Sequence, residues 1–310
     1  MNERPVGIND SPADSPLEEV LSWLTDQDPS GKRIANVFRE TFDQLYDGQR
    51  TGRYRWDQLY KTEKTHFGTL IEINLQREFD FSDGLVMDYQ IAGHEVDCKY
   101  SATASWMLPP ESIDQLILGS VASDERSTWS MGLVRATTEN RNGGKNRDQK
   151  GTLNSLGKRR IRWIRKDSLM PPNVLLHIPN DDVEAIFAPR SGQARINQLF
   201  RIAMNQRISR NVVATVAQQN DYMKRVRANG GARTTLQTEG IIILSGDYVR
   251  QVNIAKELGC TIPEAGEFVS IRVAKVDVAM AGSVELDGEL WVARPKLQIS
   301  EGSAPVIRGQ

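Results

Sequence analysis

The chain has 310 residues, 39% of them hydrophobic and 25% charged, with a formal net charge of −1, which predicts two ordinary globular domains. No apolar run approaches the ~18 residues that cross a bilayer, and Met1 to Ser15 is polar and acidic, unlike a signal peptide, so a cytoplasmic protein without a membrane partner is expected. Two cysteines and three scattered histidines exclude a disulfide framework and a Cys/His zinc site; the metal this composition can hold is a hard cation on carboxylates, Mg²⁺ before others.

Residues 1–16 carry Pro5, Pro12 and Pro16 without apolar periodicity and are expected to form a disordered lead-in. Helices are predicted over 17–24, over 32–46 with Ile34, Val37, Phe38, Phe42 and Leu45 on one face, and over 62–79. Two strands follow, and the polar, glycine-bearing stretch 140–150 reads as a loop. Met170-Pro171-Pro172-Asn173 stops any helix, because paired prolines cannot continue one. A first domain over 17–168, a linker over 169–173 and a second domain over 174–310 follow from it. Beyond the linker, helices are predicted over 194–206, 210–217 and 221–228, the last ended by Asn229-Gly230-Gly231. A buried strand over 240–244 and a hairpin at Asp287-Gly288 complete an α+β module of winged helix-turn-helix type.

The most informative stretch runs from Met87 to Tyr100. Val96, Cys98 and Tyr100 alternate with Glu95, Asp97 and Lys99, so Asp97 and Lys99 project from one face of a strand. If Ala92-Gly93 is a two-residue turn, position 91 pairs with 94 and Asp88 lies opposite Asp97, with Cβ atoms about 5 Å apart. Two facing carboxylates repel unless a cation sits between them, and Lys99 supplies further positive charge. On the helix over 62–79, Glu72 falls at the edge of the stripe Phe67, Leu70, Ile71, Leu75 and Phe79. Asp88, Asp97 and the Cys98 carbonyl are candidate ligands, Glu72 would complete the metal shell or a second site, and Lys99 would orient the attacking water in phosphodiester hydrolysis. The spacing of Asp88, Asp97 and Lys99 alone is also compatible with an ordinary charged surface; strand parity is what favours a site.

These residues resemble the PD-(D/E)xK nucleases, with Met87 where that pattern has proline. The resemblance narrows further. Gln44-Leu-Tyr-Asp-Gly-Gln-Arg-Thr-Gly52, Lys61-Thr-Glu-Lys-Thr-His66, Trp106-Met-Leu-Pro-Pro-Glu-Ser-Ile113, Leu175-Leu-His-Ile-Pro179, Ala214-Thr-Val-Ala-Gln-Gln219, Met223-Lys-Arg-Val-Arg227 and Glu239-Gly-Ile-Ile-Ile-Leu244 are similar to the NaeI-type (type IIE) restriction endonucleases. The resemblance implies a mixed sheet flanked by helices in an N-terminal cleavage domain. It also implies a C-terminal DNA-binding domain similar to catabolite activator protein, and a homodimer. Double-stranded DNA would be both substrate, at GCCGGC, and effector, bound as a second copy in the C-terminal domain, and a methyltransferase would act on the same site.

Leu45-Tyr46-Asp47-Gly48-Gln49-Arg50 resembles the nucleotidyl-transfer motif K-x-D-G-x-R of DNA ligases, but Leu45 stands where the nucleophilic lysine is required. A helix end at Asp47-Gly48 with Leu45 in the core is the preferred reading. Gly151 to Arg159 has five residues between its glycines and Arg159 where Ser or Thr must bind Mg²⁺, so it is not a phosphate loop. Basic residues concentrate in two runs, 141–166 and 190–233, open to two readings, a solvated surface or a polyanion contact. For DNA binding the candidates are Lys158, Arg159, Arg210, Lys224, Arg225, Arg227 and Arg233, those on 221–228 lying where a recognition helix would. A non-catalytic transcription regulator and a topoisomerase-like strand-transfer enzyme are the competing readings; a regulator has no use for Asp97 and Lys99.

Overall fold

The computed structural model describes residues 14–143, 149–298 and 302–307. Positions 1–13 of the lead-in expected over 1–16 and positions 144–148 of the loop expected over 140–150 lie outside the described residues. The chain divides into two compact units, one made of 1–42 and 60–171, the other of 43–59 and 172–310.

The first unit opens with α1 (Ser15–Gln27), started by Asp14, whose side chain accepts from Leu17 N at 3.2 Å, and by Pro16 in the first turn. Capping thus draws Ser15 and Pro16 into the helix. α2 (Lys32–Tyr46) and α4 (Lys61–Phe79) follow; between them the chain passes into the second unit after residue 42, taking the end of α2 and all of α3 (Gly48–Thr51) with it, and returns at residue 60. Glu63 returns its carboxylate to Tyr60 N at 2.8 Å, satisfying a donor that the start of α4 leaves open, and Phe67, Leu70, Ile71, Leu75 and Phe79 face the core.

Then come β1 (Ser82–Asp83), β2 (Tyr89–Ile91), β3 (His94–Tyr100), β4 (Leu116–Ser123), β5 (Thr128–Arg135), the short pair β6 (Arg141–Asn142) and β7 (Thr152–Leu153), α5 (Ser155–Arg159) and β8 (Arg162–Leu169). Six strands form one sheet in the order β1-β2-β3-β4-β5-β8. β3 and β4 are parallel and the other neighbours antiparallel, so this is a mixed sheet, with helices packed against it. A parallel pair needs a long crossover; the 101–115 connection supplies it and buries Trp106 and Leu108 under the sheet.

The second unit contains α6 (Asn180–Phe187), α7 (Gly192–Ile202), β9 (Ile208–Ser209), α8 (Arg210–Ala217), α9 (Ala232–Gln237), β10 (Ile241–Ser245), α10 (Val249–Glu257), β11 (Glu267–Val276), β12 (Ser283–Leu286) and β13 (Glu289–Arg294). Its sheet runs β10-β11-β13-β12, with β9 on β11. Alternate residues of β10 feed two cores, Ile241 and Ile243 under the helices, Ile242 and Leu244 against α10. Asp287 (φ 53°) and Gly288 (φ 79°) make the turn between β12 and β13 read from the sequence.

The helix expected over 221–228 is a correction. Only a 3₁₀ turn, Tyr222–Arg225, forms there, and the next α-helix is α9. The backbone amides there bond three residues back, Lys224 to the Asp221 carbonyl at 2.9 Å, Val226 to Met223 at 3.3 Å and Arg227 to Lys224 at 3.4 Å, so the segment winds as a 3₁₀ turn and not as an α-helix. Asn229-Gly230-Gly231 therefore leads into α9 instead of ending a helix. α7 likewise starts earlier than expected, because Ser191 Oγ accepts from Ala194 N at 3.1 Å.

Candidate active site

β2 and β3 are joined by Ala92 (φ 51°) and Gly93 (φ 81°), two consecutive left-handed residues of a type I′ turn. Ile91 therefore faces His94, Gln90 faces Glu95 and Tyr89 faces Val96. One step further along, Asp88 leaves the ladder, and its Oδ2 accepts from the Cys98 N–H at 2.7 Å. Asp97 and Lys99 share a strand face, and Lys99 Nζ donates to Asp97 Oδ1. Lys99 also donates to the Cys98 carbonyl at 3.0 Å and stands 3.7 Å from Asp88 Oδ2.

Asp97 is 5% exposed, and its Oδ2 has no hydrogen-bond partner among the described residues. Burial raises its carboxyl from 3.8 to about 6, against the opposing pull of Lys99. For Lys99, burial opposes the charge, but the Asp97 carboxylate and Asp88 outweigh it and raise the ammonium above its ordinary value. Burial pushes the Cys98 thiol up to about 12, so this residue offers its carbonyl, not a thiolate.

Glu72, half-buried on α4, is raised by burial and by the charge of Asp88, with Lys99 opposing. The Tyr89 hydroxyl donates to the Glu72 carbonyl at 2.7 Å, and Phe67 meets Tyr100 edge-on at 4.7 Å between ring centroids. These contacts fix α4 over the β2–β3 hairpin. Among the described residues no three His, Cys, Asp or Glu side chains converge as a metal cage; Glu72 flanks the pair of aspartates. The donors present are hard oxygens, one of them buried and unpartnered, and they suit a hard divalent cation.

Sequence reading missed Glu95. Its carboxylate accepts from the N–H groups of Leu85 (2.8 Å), Val86 (3.0 Å) and Met87 (2.8 Å) and from Gln90 Nε2 (3.3 Å). Those bonds, the Met87 amide foremost, hold its carboxyl down to about 2. Strand parity puts Glu95 on the face of Asp97 and Lys99, but only the fold brings the 84–87 loop over it.

A family model for the restriction endonuclease NaeI matches residues 18–300. The chain is also similar to the type II restriction enzyme NaeI of Lentzea aerocolonigenes, 48% identical over 304 residues that cover 95% of each protein. The chain belongs to the NaeI restriction endonuclease family. It is accordingly a site-specific deoxyribonuclease, a hydrolase that binds DNA.

In this NaeI-family chain the ligase-like segment belongs to the second unit, whereas Glu72, Asp88, Asp97 and Lys99 belong to the first. Leu45 is 7% exposed at the end of α2. Asp47 (φ 46°) pairs with the exposed Arg50 at 3.3 Å. Gly48 is required by packing, since a Cβ there would lie 2.1 Å from Thr215 Oγ1 and 2.8 Å from the Arg53 carbonyl. The Asp-Gly-x-Arg pattern thus has a structural explanation.

Many basic residues counted along the sequence are matched by distant acids. Arg201 pairs with Glu239, Arg207 with Glu264, Arg160 with Glu139 and Arg162 with Glu18. Among the DNA-binding candidates, Arg210 pairs with Asp247 at 2.8 Å, while Lys224 and Arg225 share Asp221. Arg227 is exposed without an ion pair among the described residues, and Lys158 and Arg159 are exposed at the end of α5. Arg233 is half-buried; its guanidinium reaches Gln251 at 3.1 Å, and its Nε has no partner among the described residues.

Proposed function

We propose that the protein is a Mg²⁺-dependent type II restriction endonuclease that cuts double-stranded DNA with Asp88, Asp97, Lys99 and Glu72. The observation that carries this reading is the unpartnered, buried Asp97 Oδ2 beside Asp88 and a restrained Lys99 on one hairpin. Asp88, Asp97 and the Cys98 carbonyl would hold Mg²⁺, with Glu72 at the flank. When bound, the ion supplies Lewis acidity at the phosphate and the leaving oxygen. Lys99, held by Asp97 and the Cys98 carbonyl, would act as a donor that offsets charge growing on the phosphate and orients the attacking water. Glu72, whose carboxyl burial and the charge of Asp88 raise, would complete the metal shell from α4.

The finer reading extends to a homodimer in the cytoplasm acting at GCCGGC, a palindrome that suits a two-fold enzyme. A methyltransferase of the same specificity would protect the host. The second unit would bind an effector copy of the site. Support for a helix-turn-helix there is α8, the break at left-handed Gln218, the 3₁₀ turn bearing Lys224 and Arg225, and the antiparallel sheet that follows. Lys224, Arg225, Arg227, Arg233 and Arg210, with Lys158 and Arg159 in the first unit, would supply phosphate contacts.

The test uses plasmids carrying one or several GCCGGC sites, with and without Mg²⁺, beside Asp97→Ala. Double-strand cuts that need both Mg²⁺ and Asp97, and quicken when a short duplex is added, are expected. Cutting by Asp97→Ala, or none by the parent enzyme, overturns the reading.

A further inference from the structure

We infer that Glu95 is a positioning residue for the nuclease site: its carboxylate clamps the loop that delivers Asp88. The inference rests on the reading that Asp88 holds the metal.

The loop 84–87 joins β1 to Asp88. Nothing apolar holds its tip, since Leu85 is 87% and Val86 72% exposed. A tip of that kind, with its N–H groups turned to solvent, would sample many conformations. Instead three successive N–H groups converge on one carboxylate. Glu95 Oε1 takes Leu85 and the Gln90 side chain, and Oε2 takes Val86 and Met87. Consecutive amides around an anion form a nest, and charge-assisted bonds are the strong kind.

The curl is tight enough to require glycine at 84, where a Cβ would lie 2.2 Å from the Met87 carbonyl and 2.9 Å from Glu95 Oε2. The loop's far end is fixed by Met87, 9% exposed, and the next residue is Asp88. Glu95 faces Gln90 in the β2–β3 register and shares its strand face with Asp97. One rigid strand therefore holds Asp97 directly and Asp88 through the clamp, which sets the spacing between the two carboxylates. Two of the three acids on this hairpin serve the site, and the third is consumed in holding the geometry.

Outer partners that orient a metal ligand are commonly worth 10–100-fold in metal affinity or activity. Glu95→Ala should raise the Mg²⁺ concentration for half-maximal cleavage by about that factor. The kcat at saturating Mg²⁺ and the KM for DNA should stay close to the parent values. Glu95→Gln keeps one acceptor oxygen and should fall between. Hydrogen exchange read at single amides should show Leu85, Val86 and Met87 protected in the parent, fast in Glu95→Ala, and unchanged protection in β4 and β5 of both variants. An unchanged Mg²⁺ requirement in Glu95→Ala, or a loss of cleavage that saturating Mg²⁺ does not restore in the isosteric Glu95→Gln, overturns the clamp. Asp88→Asn run alongside separates the two claims: cutting by it at the parent rate overturns the role of Asp88, and the exchange data then refute or uphold the clamp of the loop independently.

Discussion

Replacing Asp97 by asparagine should stabilise the metal-free protein while abolishing cleavage. Asp97 is buried, and its carboxyl is raised from 3.8 to about 6. The fold therefore favours the neutral acid: this group's contribution is fully present below pH 3.8 and is lost as pH rises through about 6. At ~1.4 kcal/mol for each pH unit, the ionised group costs the folded state about 3 kcal/mol above that range, with the attraction of Lys99 already included. Asparagine removes the charge and keeps Oδ1 as an acceptor for Lys99, which still has the Cys98 carbonyl at 3.0 Å and Asp88 at 3.7 Å. Without metal the cluster holds three acids against one ammonium, so neutralising one acid also relieves repulsion. For a unit of this size, Tm should rise on the order of 10 °C, measured by thermal unfolding in chelator at about pH 8, where the penalty is complete. Near pH 4 the advantage should shrink. Added Mg²⁺ should raise the Tm of the parent and leave the variant unmoved. A variant that melts at or below the parent in chelator refutes the claim that the site stores the cost of a buried charge.

Protons should compete with the metal, so the Mg²⁺ requirement for cleavage should climb as pH falls below about 6; a flat requirement across that range counts against Asp97 as a ligand. Gly119→Ala should destabilise by about 1–3 kcal/mol, because a Cβ there meets the buried Trp106 ring at 2.4 Å. Calorimetry should show the drop, with weakened cleavage, since Gly119 is the parallel partner of Lys99. Gly48→Ala should cost a similar amount through Thr215 and the Arg53 carbonyl, read as a lower denaturant midpoint. Arg227→Ala should lower the salt slope of DNA binding by ~1, whereas Arg201→Ala, whose guanidinium is held by Glu239, should leave it unchanged in anisotropy titrations.

Local patterns made several of these features legible. A period of two placed Asp97 and Lys99 on one face, Ala92-Gly93 announced the turn that sets the register, and the apolar stripe of α4 located Glu72 at its margin. Asp287-Gly288 worked in the same way. What the sequence hid depends on packing. The charges of 221–228 suggest a helix, yet its amides bond three residues back and wind a 3₁₀ turn. Charge counting along 190–233 could not see that Glu239, Glu264 and Asp247, all later in the chain, answer Arg201, Arg207 and Arg210. Glu95 reads as one more surface acid until the 84–87 loop is seen to curl over it. Membership of 43–59 in the second unit is likewise a matter of side chains such as Thr215 and Gln218 closing on Gly48 and Gly52, which no short-range period carries.

That membership bears on how such an enzyme can be recombined. The chain passes from one unit to the other three times, after residues 42, 59 and 171, so no single breakpoint yields two complete halves. A fragment ending at Pro171 would carry α3 without the α8 surface on which Gly48 is seated, and the fragment starting at Pro172 would expose that surface. Exchange of the second unit between relatives, whether by a crossover in nature or by a chimera at the bench, requires two segments to travel together. The expected mark of this in a panel of chimeras is plain: single-junction hybrids at 171 fail to accumulate as soluble protein, and hybrids that also carry the matching 43–59 recover.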